Sequence, residues 1–159
     1  MQTRSRLRNT LRYSQQEAVA SATMTGTSDN FLNAFAISLQ ASALQLGWLT
    51  ALPQLAGAIM QIVSVWLGNH VPRKPLVVLT ALSQSFVVAG MAFVALPVAD
   101  ILPAGPVQLL IALAVGYYIC INVVQPHWRA WMGGIVPRQR RGVFFAARSR
   151  LTMLTTLII

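Results

Sequence analysis

Residues 46–67 have the sequence LGWLTALPQLAGAIMQIVSVWL, which contains no charged side chain. A helix of this length is long enough to cross the hydrocarbon core of a membrane, which is about 30 Å thick. Trp48 and Trp66 lie near its two ends, where indole rings favour the membrane interface. Pro53 lies inside the stretch, and membrane helices tolerate an internal proline when neighbouring groups satisfy the freed carbonyl. The stretch therefore predicts a transmembrane helix.

One face of this predicted helix carries small and polar side chains. Gln54, Gly57, Gln61 and Ser64 follow one another at spacings of three and four residues, which places them on the same side of a helix. In a membrane, small and polar residues favour close contact between helices. We therefore expect this face to pack on other helices.

The same pattern recurs along the chain. Stretches at 17–40, 76–96 and 107–125 predict three more spans, although the first of them is the most polar. Residues 150–159 predict the start of a fifth span, which is too short to cross the membrane. The sequence therefore predicts an all-α, polytopic membrane helix bundle with four complete transmembrane helices and the beginning of a fifth.

The overall composition agrees with a membrane protein. The 159 residues are 55% hydrophobic and only 9% charged, with a net charge of +9, whereas soluble domains have about 25% charged residues. High apolar content excludes disorder, and so few charges cannot coat a nucleic-acid-binding face. His70 and His127 lie in separate segments without carboxylate neighbours, so we expect no enzyme active site, no metal site and no cofactor.

The basic residues are distributed asymmetrically. Four of the twelve lie in residues 1–16, two in the connection 68–75 and six after the fourth span, whereas the predicted turn 97–106 carries only Asp100. Lys and Arg concentrate in the cytoplasmic loops of membrane proteins. The distribution therefore predicts a multi-pass protein with a cytoplasmic N-terminus, in which residues 1–16 form a basic tail.

The segments SLQASALQLGWLTALPQLAGAIMQ, LGNHVPRKPLVVL and PHWRAWMGGIVPRQRRGVFFAARSR follow one another in the chain and together resemble a known family, the major facilitator superfamily of transporters. The second segment is similar to the family's signature loop at Arg73 and Lys74. It departs from that loop at four positions, where the family has glycine, aspartate, arginine and glycine: Val65, Asn69, His70 and Pro72. The segment PHWRAWMGGIVPRQRRGVFFAARSR resembles the pattern P-x-W-x-x-W-x-x-x-x-V-P-x-x-x-R-G-x-x-F-x-x-R of a bacterial branch. The matching residues are Pro126, Trp128, Trp131, Val136, Pro137, Arg141, Gly142, Phe145 and Arg148.

The resemblance implies a fold and a function. It implies the partial N-terminal half of a major facilitator fold, from a secondary active transporter in the bacterial inner (plasma) membrane. Such a protein moves a small solute by alternating access between two helical bundles. The implied partners are the lipid bilayer, a small-molecule substrate with or without a coupling proton, and a C-terminal half that this chain lacks. A function of another class also stays open, namely a non-transporting membrane segment that assembles with another chain.

The polar residues of the first predicted span are candidates for a substrate or ion pathway. Thr25, Asp29 and Asn33 are four residues apart and share one helical face. An acid inside a span is costly and is commonly functional, so Asp29 can bind substrate or carry a proton. The alternative is that Asp29 lies near a membrane interface or bonds a neighbouring helix.

Further candidates lie at the predicted cytoplasmic side. Asn122 and Gln125 can face the same pathway or make hydrogen bonds between helices. Arg73 and Lys74 can hold the inward-closed state, as the resemblance implies for the signature loop, or can serve orientation alone. In the loop after the fourth span, membrane anchoring and gating both remain open as roles; the candidate residues there are Trp128, Trp131, Arg141 and Arg148.

Overall fold

The computed structural model describes residues 2–96 and 105–158, and the side chains of residues 2–11 and of Asp29 lie outside the described part. Every regular element in the described residues is a helix, which confirms the all-α prediction. The helices are α1 (Gln2–Ser38), α2 (Ala43–His70), α3 (Arg73–Val94), α4 (Pro106–Ile135) and α5 (Arg141–Ile158), with a 3₁₀ turn at Arg138–Arg140.

Three of these helices, α2, α3 and α4, are long and apolar enough to cross a membrane. They contain most of the predicted spans 46–67, 76–96 and 107–125, so the apolar stretches were located correctly. Many of their large hydrophobic side chains are exposed, among them Ile62 and Phe86. Apolar surface of this extent is compatible with contact to lipid.

Two boundaries differ from the sequence prediction. Residues 2–16 of the predicted tail and residues 17–38 of the predicted span lie in one continuous helix, α1. The fourth span was predicted to end at Gln125, but α4 continues through Pro126 to Ile135. A proline inside a helix removes one backbone hydrogen bond, and here it does not end the helix. Residues 97–104, which include Asp100 and most of the predicted turn, lie outside the described part.

A pair of terminal motifs joins α1 to α2. Gln40 has a φ of 60°, and its N–H donates to the carbonyl of Ile37 while that of Ala41 donates to Ala36, as in a Schellman motif. At the start of α2, the Ser42 hydroxyl accepts from the Gln45 N–H, and the Gln45 side chain accepts from the Ser42 N–H. This capping box satisfies two backbone donors, so the short connection defines both helix ends.

By their contacts, the residues divide into two compact units. The first comprises Met1–Leu32 with Met132–Ile159, and the second comprises Asn33–Trp131. In the first unit, the buried positions of α1 recur every four residues and carry small side chains: Ser14, Ala18, Ala22 and Gly26. Such a stripe allows another helix to approach closely.

The first unit is closed by a contact between α1 and α5. The Arg148 guanidinium lies 2.7 Å from the Glu17 carboxylate and donates to the carbonyl and the hydroxyl of Ser14. Arg148 is 14% exposed and Glu17 48%. We name these three residues the α1–α5 contact.

The second unit is built around α4. A methyl group added at Gly90 of α3 would lie 3.1 Å from Leu113 of α4, and one added at Gly116 of α4 would lie 3.6 Å from Val87 of α3. A side chain at Gly90 would therefore require Leu113 to shift, whereas one at Gly116 would make an ordinary contact. The buried side chains of α4 follow a helical spacing of three or four residues: Val107, Leu110, Ile111, Ala114, Tyr117, Cys120 and Val123.

Candidate functional site

A row of small and polar residues on α2 contacts α4 in the second unit. Gln61 Nε2 donates to Asn122 Oδ1 over 2.6 Å, and the Asn122 amide nitrogen donates to the carbonyl of Tyr118 over 2.8 Å. One turn along α2, the buried Ser64 lies 2.9 Å from His127 Nε2. We name Gln61, Ser64, Asn122 and His127 the α2–α4 contact.

Two glycines make this contact possible. A Cβ at Gly57 would lie 2.5 Å from Asn122 Nδ2, and a Cβ at Gly68 would lie 2.5 Å from His127 Cε1. Non-bonded atoms do not approach this closely, so a side chain at either glycine would displace its neighbour on α4. The expectation that Gly57, Gln61 and Ser64 share a helix-packing face is therefore confirmed, whereas Gln54, which was placed on the same face, is exposed.

The hydrogen bonds of His127 define its tautomer. Its Nε2 lies 3.0 Å from the carbonyl oxygen of Ser64 as well as 2.9 Å from the hydroxyl. Because a carbonyl oxygen only accepts, we assign the proton to Nε2, which then donates to both oxygen atoms. The ring is 6% exposed and is held by the backbone and the side chain of one residue. It therefore lies in a fixed position at the base of a cavity.

This cavity has a volume of about 580 Å³ and lies beside the α2–α4 contact. Its wall combines apolar residues, such as Val65 and Ile121, with a larger set of polar ones from three helices. The polar lining residues are Gln61, Ser64 and Asn69 of α2, Arg73 of α3, and Asn122, Gln125, His127 and Arg129 of α4.

The charge in the cavity has one sign. Arg73 and Arg129 are both lining residues, and none of the described lining residues is acidic. Arg129 Nη2 donates to Gln125 Oε1 over 3.4 Å, a long hydrogen bond. Arg73 is also the first residue of α3, whose start has no side-chain cap and no acid in its first turn. The N-terminal end of a helix carries a partial positive charge, which adds to that of the arginines.

The structure brings together some of the predicted site residues and not others. Asn122 and Gln125 line the cavity with Asn69 and Arg73, whereas Lys74 is exposed outside the lining. Asn33 is exposed and is not a lining residue, and Thr25 is half-buried in the first unit. The side chain of Asp29 lies outside the described part, so its predicted role stays a prediction.

The residues of the predicted interfacial loop are divided between structural positions. Trp128 and Trp131 are half-buried on α4. Arg141 Nε donates to the carbonyl of Val136 over 3.0 Å, which ties the start of α5 to the residues after α4. Arg148 belongs to the α1–α5 contact. These arginines therefore hold local structure, in addition to any contact with the membrane surface.

Sequence reasoning missed His127, Ser64 and Arg129 as parts of a site. His127 was interpreted as an interfacial loop residue, because Pro126 was expected to end the fourth span. Once α4 continues through Pro126, Asn122, Gln125 and Arg129 follow at spacings of three and four and lie on one side of the helix. The helical spacing of these three residues across Pro126 was the signal available in the sequence.

Comparison of the chain with known protein families, characterised proteins and solved structures finds no match.

Proposed function

We propose that the chain is part of a secondary active transporter of the major facilitator type, which moves a small solute by alternating access. The observation that carries the proposal is the polar cavity among helices that are apolar enough to cross a membrane. Arg73 and Arg129 line this cavity, and ionisable residues of membrane helices commonly mark substrate or ion pathways. The resemblance of residues 126–150 to the bacterial transporter pattern supports the same function.

The proposal includes a topology. We place the protein in the bacterial inner membrane with its N-terminus in the cytoplasm, four complete spans and the beginning of a fifth. The helices α2, α3 and α4 account for three of these spans. The remaining one, which is the first along the chain, is the more apolar second half of α1. The arginine and lysine distribution supports this orientation.

Reporter fusions test the topology. A reporter that is active only in the periplasm is fused after Pro103 and, separately, after Arg138. We expect activity from the first fusion only, because the connection between α3 and α4 would lie outside and the arginine-rich segment inside. Activity from the second fusion and none from the first would reverse the orientation and overturn this part of the proposal.

Solute profiling tests transport itself. Cells that make the wild-type protein are compared with cells that make Gln125→Ala, in which an exposed cavity residue is truncated. Gln54→Ala is the matched control, because Gln54 is an exposed glutamine outside the cavity lining. We expect at least one small solute to change its distribution with wild type and Gln54→Ala but not with Gln125→Ala. No dependence on the protein would favour the non-transporting membrane segment that assembles with another chain.

A further inference from the structure

We infer that the cavity beside the α2–α4 contact binds the phosphate group of an organic phosphate. This goes beyond the proposed transport function, because such binding would hold whether the solute moves or the phosphate belongs to a lipid that stays in place. The inference combines the charge of the wall, the kind of hydrogen-bond groups in it and the size of the space.

The charge of the wall favours an anion. Arg73 and Arg129 both line one space that has no acidic residue in its described lining. Among the described residues, the ion pair of Arg148 with Glu17 involves neither of these arginines. Like charges around a common space repel, and a bound anion converts that repulsion into attraction. A cation would meet only neutral acceptors and two positive charges.

The donor geometry favours phosphate over a simple halide. Arginine presents parallel N–H groups that match the oxygen atoms of phosphate in pairs. Asn69 and Gln125 add neutral amide donors to the lining of the same cavity.

The volume requires more than an inorganic ion. About 580 Å³ lies within the range of about 300–1,000 Å³ that is usual for small-molecule sites. Val65 lines the same space and is 71% exposed, so the lining includes apolar surface as well as the arginines. The phosphate therefore carries an organic group, which is either a soluble polar group or the glycerol and acyl part of an anionic phospholipid.

The binding test uses the purified full chain in nanodiscs of phosphatidylcholine. Glycerol 3-phosphate is titrated at constant ionic strength, with chloride as the reference anion, while the intrinsic tryptophan fluorescence and the thermal midpoint are followed. A second arm measures the retention of phosphatidylglycerol by native mass spectrometry. Saturable binding in the first arm assigns a soluble phosphate, and selective retention in the second assigns a lipid headgroup. Either outcome supports the phosphate site, and failure of both overturns it.

Charge-matched variants separate a site from general attraction. Arg73→Gln and Arg129→Gln are each expected to weaken binding about tenfold, as the loss of a charge-assisted hydrogen bond does. Lys74→Gln removes the same charge from an exposed residue outside the lining and is expected to change affinity less than twofold. If Lys74→Gln weakens binding as much as the arginine variants, the attraction is diffuse and the inference is wrong.

Conservative variants keep the result interpretable. Arg73→Lys and Arg129→Lys retain the charge but lose the paired donors, so we expect intermediate affinity. Because Arg73 and Arg129 are both exposed, the fold should persist in all variants. Circular dichroism and size-exclusion chromatography check this. The solute-profiling experiment is independent, because an immobile phospholipid in the cavity would leave this inference intact even if no transport were found.

Discussion

The two units hold their helices together by different chemistry. The α1–α5 contact is ionic, with a guanidinium 2.7 Å from a carboxylate. The α2–α4 contact is neutral, with an amide pair at 2.6 Å and a histidine–serine pair at 2.9 Å. Only α2 and α4 of these four helices are apolar and long enough to cross a membrane.

The difference follows from the energy of charge in hydrocarbon. A charged side chain in the centre of a bilayer costs several kcal/mol, whereas a neutral amide or hydroxyl pair between helices contributes about 0.6 kcal/mol and can be satisfied completely. Neutral polar groups are therefore favoured in helix contacts inside the membrane. An ion pair is favoured between helices that already carry charged side chains, such as α1 and α5. The comparison predicts that the two contacts respond differently to truncation and to salt.

The largest loss of stability is expected from His127→Ala. The substitution removes a buried ring and both of its bonds to Ser64, and it leaves a space beside Gly68. Together these changes lower the free energy of unfolding by about 3 kcal/mol. Denaturant titration in mixed micelles measures the change. His70→Ala is the control, since the exposed His70 contacts the carbonyl and the ring of Trp66 within its own helix, and an equal loss in both variants would refute the fixed position of His127.

In the α1–α5 contact, Arg148→Met is expected to cost about 2 kcal/mol. The variant keeps the aliphatic packing but removes the ion pair and the bonds to Ser14, and charge-assisted hydrogen bonds contribute about 1.5–3 kcal/mol. Glu17→Gln should cost less than half as much, because Glu17 is half-exposed and its charge is screened by water. A larger effect from Glu17 than from Arg148 would contradict this account.

Salt provides the sharpest comparison of the two contacts. Double-mutant cycles for Arg148 with Glu17 and for Gln61 with Asn122 are measured at low and at high ionic strength. The ionic coupling should fall as salt screens the exposed carboxylate, whereas the amide coupling, about 0.6 kcal/mol, should stay constant. If both couplings fall together, the α2–α4 contact is not the neutral interaction that its distances indicate.

Parts of this comparison were accessible from the sequence. The apolar stretches locate α2, α3 and α4 because a membrane span needs a long run of apolar residues, and the spacing of Gly57, Gln61 and Ser64 identified a packing face. The partners of that face were not accessible. Gln61 with Asn122 and Ser64 with His127 are more than 60 residues apart, and helical periodicity carries no information on which faces meet.

The remaining errors have a local cause. Pro126 was expected to end the fourth span, because proline cannot donate its backbone bond, yet the helix tolerates the loss. This placed His127 and Arg129 in a loop and hid the site. The basic tail predicted at residues 1–16 is not one of these errors, because residues 2–16 are helical and Arg12 is exposed.

The smallest effect is expected at Gln40, which belongs to neither contact and so provides a baseline for both. Gln40 is the one described residue other than glycine with a positive φ, a conformation in which its Cβ approaches the following carbonyl. Gln40→Gly relieves this strain and keeps both backbone bonds of the Schellman motif, so the free energy of unfolding should rise by about 0.5 kcal/mol. Gln40→Val should lower it, because a β-branched side chain fits a positive φ poorly.

In either background the coupling of Arg148 with Glu17 and that of Gln61 with Asn122 should keep their wild-type values, since sites without shared partners are additive. A change in the amide coupling alone would mean that the α1–α2 connection sets the position of α2 on α4.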